Sequence, residues 1–231
     1  MSQLVTMEKE EHSTPPQGMG GIASDWAADQ EVFRHTHWGK AMMWIFLLSD
    51  TFIFSCFLVS YMTMRASAML PWPNASEVFA LTLFGQSIPL ILIAIMTFVL
   101  ISSSGTMAMA VNFGYRRDRR KTAALMFATA LFGAMFVSMQ AFEWTKLIHE
   151  GVRPWGNPWG APQFGASFFM ITGFHGLHVS CGVILLLIIA TKVLRGDYDR
   201  GGDYSSVEIA GLYWHFVDLV WVFIFAFFYL W

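Results

Sequence analysis

Three acids and three histidines stand inside long apolar runs of this chain: Asp50, Glu143 and Asp218, and His175, His178 and His215. Their spacing is helical. Gln140 and Glu143 are three apart, as are His175 and His178 in Gly173-Phe174-His175-Gly176-Leu177-His178, and His215 and Asp218 in Tyr213-Trp214-His215-Phe216-Val217-Asp218. Each pair therefore shares one helix face. A charged carboxylate in hydrocarbon costs about 2.5 kcal/mol or more, so such groups persist where they are paired, hydrated or neutral.

Carboxyl and imidazole groups so placed could ligate a metal, hold a haem, relay protons or bond to one another. His175 and His178 make half a metal ligand set, and the rest would have to come from other helices. A b-type haem needs opposed axial groups, for which His178 facing His215 is the available pair. A proton relay through this chain alone needs a continuous wet path, which the apolar runs around each acid oppose. Interhelical hydrogen bonding is the reading these residues favour, with the histidines bonded to Glu143 and Asp218. It joins Gln140, Glu143, His175, His178, His215 and Asp218 in one interior polar network. No residue is assigned to catalysis, to a cofactor or to a metal.

The elements that must position these groups are membrane helices. The 231 residues are 55% hydrophobic and 13% charged, against about 25% charged in a soluble domain. Five apolar segments reach the roughly 20 residues a helix needs to cross a bilayer, near 40–64, 80–112, 122–148, 164–194 and 207–231. The fold class is thus all-α, an integral membrane bundle of five transmembrane helices. Pro89 and Ser102-Ser103-Ser104-Gly105 are expected to kink or shorten the second span. Trp155-Gly156-Asn157-Pro158-Trp159-Gly160 reads as an ordered interfacial loop with aromatic anchors. Cys56 and Cys181 lie in apolar runs and read as small hydrophobes, not as a disulfide.

Eleven of the fourteen Lys and Arg residues fall in 1–40, 113–121 and 192–206; Arg65, Lys146 and Arg153 fall on the other side. This bias places the N-terminus in the cytoplasm and the C-terminus in the periplasm. Residues 1–38 form a polar tail with no apolar core or cleavage site of a secretory signal, and residues 39–231 form the membrane domain. Lys192 and Arg195, on the side of the basic 113–121 loop, suit anionic headgroups. A net charge of −2 gives no pull toward nucleic acid, and no P-loop or dinucleotide-binding turn is present.

Two long stretches, Gly173-Phe174-His175-Gly176-Leu177-His178-Val179 and Tyr213-Trp214-His215-Phe216-Val217-Asp218-Leu219-Val220-Trp221, resemble subunit III of the haem–copper respiratory oxidases. Met139-Gln140-Ala141-Phe142-Glu143-Trp144 and Phe168-Phe169 add to the resemblance, which runs over residues 33–231. It implies a non-catalytic subunit of an aerobic terminal oxidase in the bacterial inner membrane. Such a subunit supports assembly, phospholipid retention and proton uptake by subunit I. Haems and copper would reside in that partner, with subunit II and small subunits also in contact, and this chain would hold bound phospholipid only. The seven-helix members have two more helices at their start, and this chain resembles the shorter form. Asp50 stands where the long members carry Glu, and is expected to face lipid or subunit I. The second span lacks the His pair of the longer members. Cytochrome c is the expected electron donor of the assembly. A quinol oxidase, a nitric oxide reductase accessory protein and a stand-alone transporter are the alternatives.

Overall fold

The structure, a computed structural model, describes residues 38–83, 86–88, 90–198 and 204–230. The polar tail up to residue 37 lies outside them. Five long helices carry the fold: α1 Trp38–Ala66, α3 Ile91–Tyr115, α4 Arg119–His149, α5 Gln163–Arg195 and α6 Ser205–Phe225. A four-residue helix, α2 Ala75–Val78, and an antiparallel ribbon of β1 Leu81–Leu83 and β2 Gln86–Ile88 lie between α1 and α3. All five long helices are apolar and long enough to cross a membrane, α6 with its continuation to Leu230. The chain is a multi-pass membrane protein.

The second span differs from the sequence expectation in where it starts and in its course through the serine stretch. Its helix starts at Ile91, not near 80, because the chain first forms the ribbon and then turns at Leu90, which adopts a left-handed φ of 59°. Pro89 lies outside the described residues. Ser102-Ser103-Ser104-Gly105 neither ends nor shortens the helix, which continues to Tyr115. The Ser102 and Ser103 hydroxyls donate back to Phe98 O (2.8 Å) and Leu100 O (2.7 Å), so their polar groups are met within the helix.

Short connections make α3, α4 and α5 successive antiparallel neighbours. Asp118 caps α4 by accepting from the Lys121 amide at 3.2 Å. Gly196, with φ 80°, closes α5. Helix α6 then packs against α3, α5 and α1, and α1 rests on α6 and α5. Trp214 occupies the crossing, with no exposed surface. Its indole lies against the backbones of Gly133 on α4 and Gly182 on α5.

Hydrogen bonds from hydroxyls and indoles join neighbouring helices. Thr106 and Thr129 link α3 to α4 at 2.8 Å. Trp144 Nε1 donates to Thr172 Oγ1 between α4 and α5 (3.2 Å). Trp214 Nε1 and Trp221 Nε1, two turns apart on α6, donate to Ser103 Oγ (2.9 Å) and Thr97 Oγ1 (3.0 Å) on α3. The Tyr213 hydroxyl donates to His178 O on α5 (2.9 Å). In hydrocarbon these bonds supply attraction that burial of apolar surface cannot.

At the end away from the basic loop, α2 and its flanking residues form a strap. Lys146 Nζ donates to Ala80 O, and Ala161 N donates to Pro71 O at 3.2 Å. Beneath the strap Phe79, Phe164, Phe168, Phe228 and Tyr229 interleave, with Tyr229 on a π-helical turn, Ala226–Leu230, that continues α6. The 150–160 loop is ordered by Arg153 N→Gly156 O (2.7 Å), and it presents Trp155 and Trp159 to the surroundings.

Candidate functional site

The six residues expected in one network fall into separate groups. The first contains Asp50 on α1 and His178 on α5. Asp50 is buried, 3% exposed, and its Oδ2 lies 3.4 Å from His178 Nε2. His178 Nδ1 is 2.8 Å from Phe174 O. A carbonyl only accepts, so Nδ1 carries a hydrogen and Nε2 is the atom left for Asp50. The two groups stand within ion-pair distance, and Asp50 Oδ2 has no hydrogen-bond partner. His178 was expected to bond to Glu143 or Asp218; instead α1 packs on α5 and turns His178 and Asp50 toward each other. Phe54 and Phe174 stand against the imidazole at 5.6 and 4.7 Å between ring centres.

Gln140 and Glu143 form the second group on α4. Gln140 Nε2 donates to Glu143 Oε2 at 2.8 Å. The Tyr229 hydroxyl donates to the same carboxyl, 3.2 Å from Oε2 and 3.4 Å from Oε1. Glu143 and Tyr229 are fully enclosed. Tyr229 went unnoticed in the sequence because it closes an aromatic run, Phe227-Phe228-Tyr229, that reads as interfacial. Only the turn after α6 carries its hydroxyl to α4.

The third group joins α3 to α6. Ser104 Oγ lies 2.6 Å from His215 Nδ1. Asp218 is one turn further along α6 and buried, with the Ser104 side chain as its polar neighbour across the helix boundary. Ser104 was read as part of a helix breaker. A serine within a small-residue cluster gives no sign in the sequence that a histidine 111 positions later will meet it.

His175 joins none of these groups. It is 1% exposed, stacked on Trp221 at 5.5 Å and edge-on to Phe136 at 5.9 Å, and neither ring nitrogen has a hydrogen-bond partner. It packs as an aromatic ring. Lys192 and Arg195 are exposed in the last turn of α5. Near the start of α4, the Lys121 ammonium lies over the Phe113 ring, 5.1 Å from its centre.

Among the described residues no three His, Cys, Asp or Glu side chains are grouped to hold a metal ion. His178 and His215 each commit Nδ1 to a neighbour, Phe174 O and Ser104 Oγ. Cys56 and Cys181 are free and exposed on the helix surfaces. Glu143 and His215 are thus hydrogen-bonded within the bundle, whereas the His175 ring nitrogens have no hydrogen-bond partner.

Two apolar hollows follow the α1–α6 boundary. One of 370 Å³ is lined by Leu47, Leu48, Thr51, His215 and Leu219. The other, 760 Å³, runs from Thr51 to Ala66 on α1, with Phe216, Leu219 and Phe223 opposite. The fifteen residue steps from Thr51 to Ala66 rise about 22 Å along the helix.

Comparison with known proteins places these features in context. The family described as cytochrome c oxidase subunit III matches residues 29–231. A protein of Staphylococcus aureus strain USA300, described as a probable quinol oxidase subunit 3, is 32% identical over 199 residues, covering 84% of this chain and 91% of its own. One of the same description from Staphylococcus saprophyticus is 30% identical over 188 residues, covering 81% and 86%.

Proposed function

Because the chain belongs to the cytochrome c oxidase subunit III family, we propose that it is the non-catalytic third subunit of a quinol-oxidising haem–copper terminal oxidase in a bacterial inner membrane. The observation that carries the quinol branch is the description shared by the relatives at 30% and 32% identity. It replaces cytochrome c, the donor expected from the sequence. Electron transfer and oxygen reduction belong to the partner that holds the haems and copper, as membership of the subunit III family implies.

Within that assembly the chain has three tasks. Its polar pairs hold the helices in register, so that one face can dock on subunit I. Its α1–α6 groove retains an acyl chain of membrane phospholipid: the lining is apolar, and the Thr51 and Thr63 hydroxyls are already bonded to Leu47 O (2.7 Å) and Val59 O (2.9 Å). Asp50 with His178 supports proton uptake by the partner, being an acid–base pair enclosed where α1 meets α5. The bias of Lys and Arg puts the basic loop, Lys192 and Arg195 on the cytoplasmic side, against anionic headgroups.

Gentle purification of the tagged chain tests this reading. It is expected to bring down a haem-containing partner and to support oxygen uptake with quinol in preference to reduced cytochrome c. Isolation of the chain alone, without haem or oxidase activity, would overturn it. Preference for cytochrome c would overturn the quinol assignment and leave the family intact.

A further inference from the structure

Glu143 is an enclosed carboxyl with neutral hydrogen-bond donors. Gln140 supplies an amide and Tyr229 a phenol. Lys146, one turn away on α4, is directed elsewhere: its ammonium donates to Ala80 O of the strap and lies 3.5 Å from Glu150 Oε1. Tyr61 lies against Phe228, the neighbour of Tyr229 on the same turn, and brings no cation. An ionised Glu143 would thus stand in hydrocarbon with no cation bonded to it, which is costly.

This carboxyl also borders a cavity. A void of 10 Å³ lies between the strap, α3 and α4, lined by Val78, Phe79, Leu92, Glu143, Lys146 and Leu147. That is about the space one water needs, and Glu143 and Lys146 are its polar side chains. The Lys146 side chain is 22% exposed, so the void is one residue removed from the surroundings at this end. Val78 and Phe79 roof it from the strap.

We propose that Gln140, Glu143 and Tyr229 form a proton-exchange site, in which Glu143 holds a proton and trades it with water at the strap end through the cavity beside Lys146. The step balances simply. A hydronium passes a proton through the cavity water to the Glu143 carboxylate; a carboxylic acid and water remain. The Tyr229 and Gln140 donors keep the carboxyl turned to the cavity and do not themselves change protonation. The ligand is a proton, and the strap is the wall that controls its access. The site is separate from the Asp50–His178 pair and does not depend on the electron donor of the assembly.

Infrared difference spectroscopy on the purified complex in native lipid tests the proposal. A carboxylic C=O band is expected that is lost in Glu143→Gln and displaced in Glu143→Asp. The Asp variant keeps the assignment possible if Gln prevents assembly. On transfer to D2O, the downshift of that band is expected to slow several-fold in Leu92→Phe, which fills the cavity from α3. Val78→Leu, filling it from the strap, is expected to act in the same direction. Tyr229→Phe, which takes one hydrogen-bond donor from the carboxyl, is expected to displace the C=O band. No band sensitive to Glu143, or unchanged exchange in both filled variants, would overturn the proposal.

Discussion

The indole of Trp214 fills the space that a side chain on Gly133 would need: a Cβ there would stand 2.4 Å from Trp214 Cη2 and 2.7 Å from Val183 Cγ2. The rings and backbones involved cannot yield cheaply, since Trp214 is also held by its bond to Ser103. Gly133→Ala is therefore expected to destabilise the bundle by about 1–3 kcal/mol through overpacking. Thermal dissociation of the detergent-solubilised complex measures it. Gly105, whose Cβ would meet nothing within 4 Å, serves as the control, and equal retention of the two variants would refute the packing argument.

The Asp50–His178 contact separates structural from modulatory effects. Polar couplings between membrane helices average about 0.6 kcal/mol, so a double-mutant cycle of Asp50→Asn and His178→Gln is expected to return a coupling of that order. If the pair also supports proton uptake, Asp50→Asn shortens turnover lifetime and slows uptake while leaving the haem spectrum intact. Wild-type lifetime and uptake rate in this variant would remove the modulatory role.

Ser104→Ala takes away the one hydroxyl at His215 Nδ1. Loss of a partner inside a membrane bundle is worth up to about 1.7 kcal/mol, and the expected result is earlier thermal loss of α6 contacts. Ser102→Ala removes a hydroxyl that only bonds back along its own helix, and is expected to change little. The two midpoints should differ; identical midpoints would argue against a linking role for Ser104.

Asp118, in the short connection between α3 and α4, gives a pH prediction. The Lys121 backbone amide, aided by the Lys121 ammonium at 3.2 Å, holds its carboxyl below the usual carboxylate range. A lowered acid contributes stability that is present above the ordinary carboxylate range and lost as pH falls through the lowered value. Amide hydrogen exchange in the first turn of α4 should stay slow at neutral pH and quicken under acid. In Asp118→Asn, which keeps an acceptor without the charge, that acid-dependent step should vanish.

Residue type and spacing made the membrane character legible, because apolar length and the Lys and Arg bias are properties of a segment alone. They also revealed the Gln140–Glu143 pair, since both residues lie on one helix within a single turn. Spacing said nothing about which helices become neighbours. His178 was assigned the wrong acid for that reason, and His175 was taken for a polar contact although Trp221 and Phe136 enclose its ring. Ser103, Ser104, Thr97 and Tyr229 carried no signal, because hydroxyls in apolar helices usually bond to their own backbone.

The order of residues along the chain thus determined what crosses the membrane and which side chains share a face. Tertiary packing alone decided the partners. A helix rotates freely about its axis until Trp214 seats between Gly133 and Gly182, and only that seating aims His215 at Ser104 and leaves α1 to bring Asp50 to His178. The ribbon before α3 belongs to the same class: apolar composition around residues 80–90 suits a helix or a strand, and the turn at Leu90 settled it.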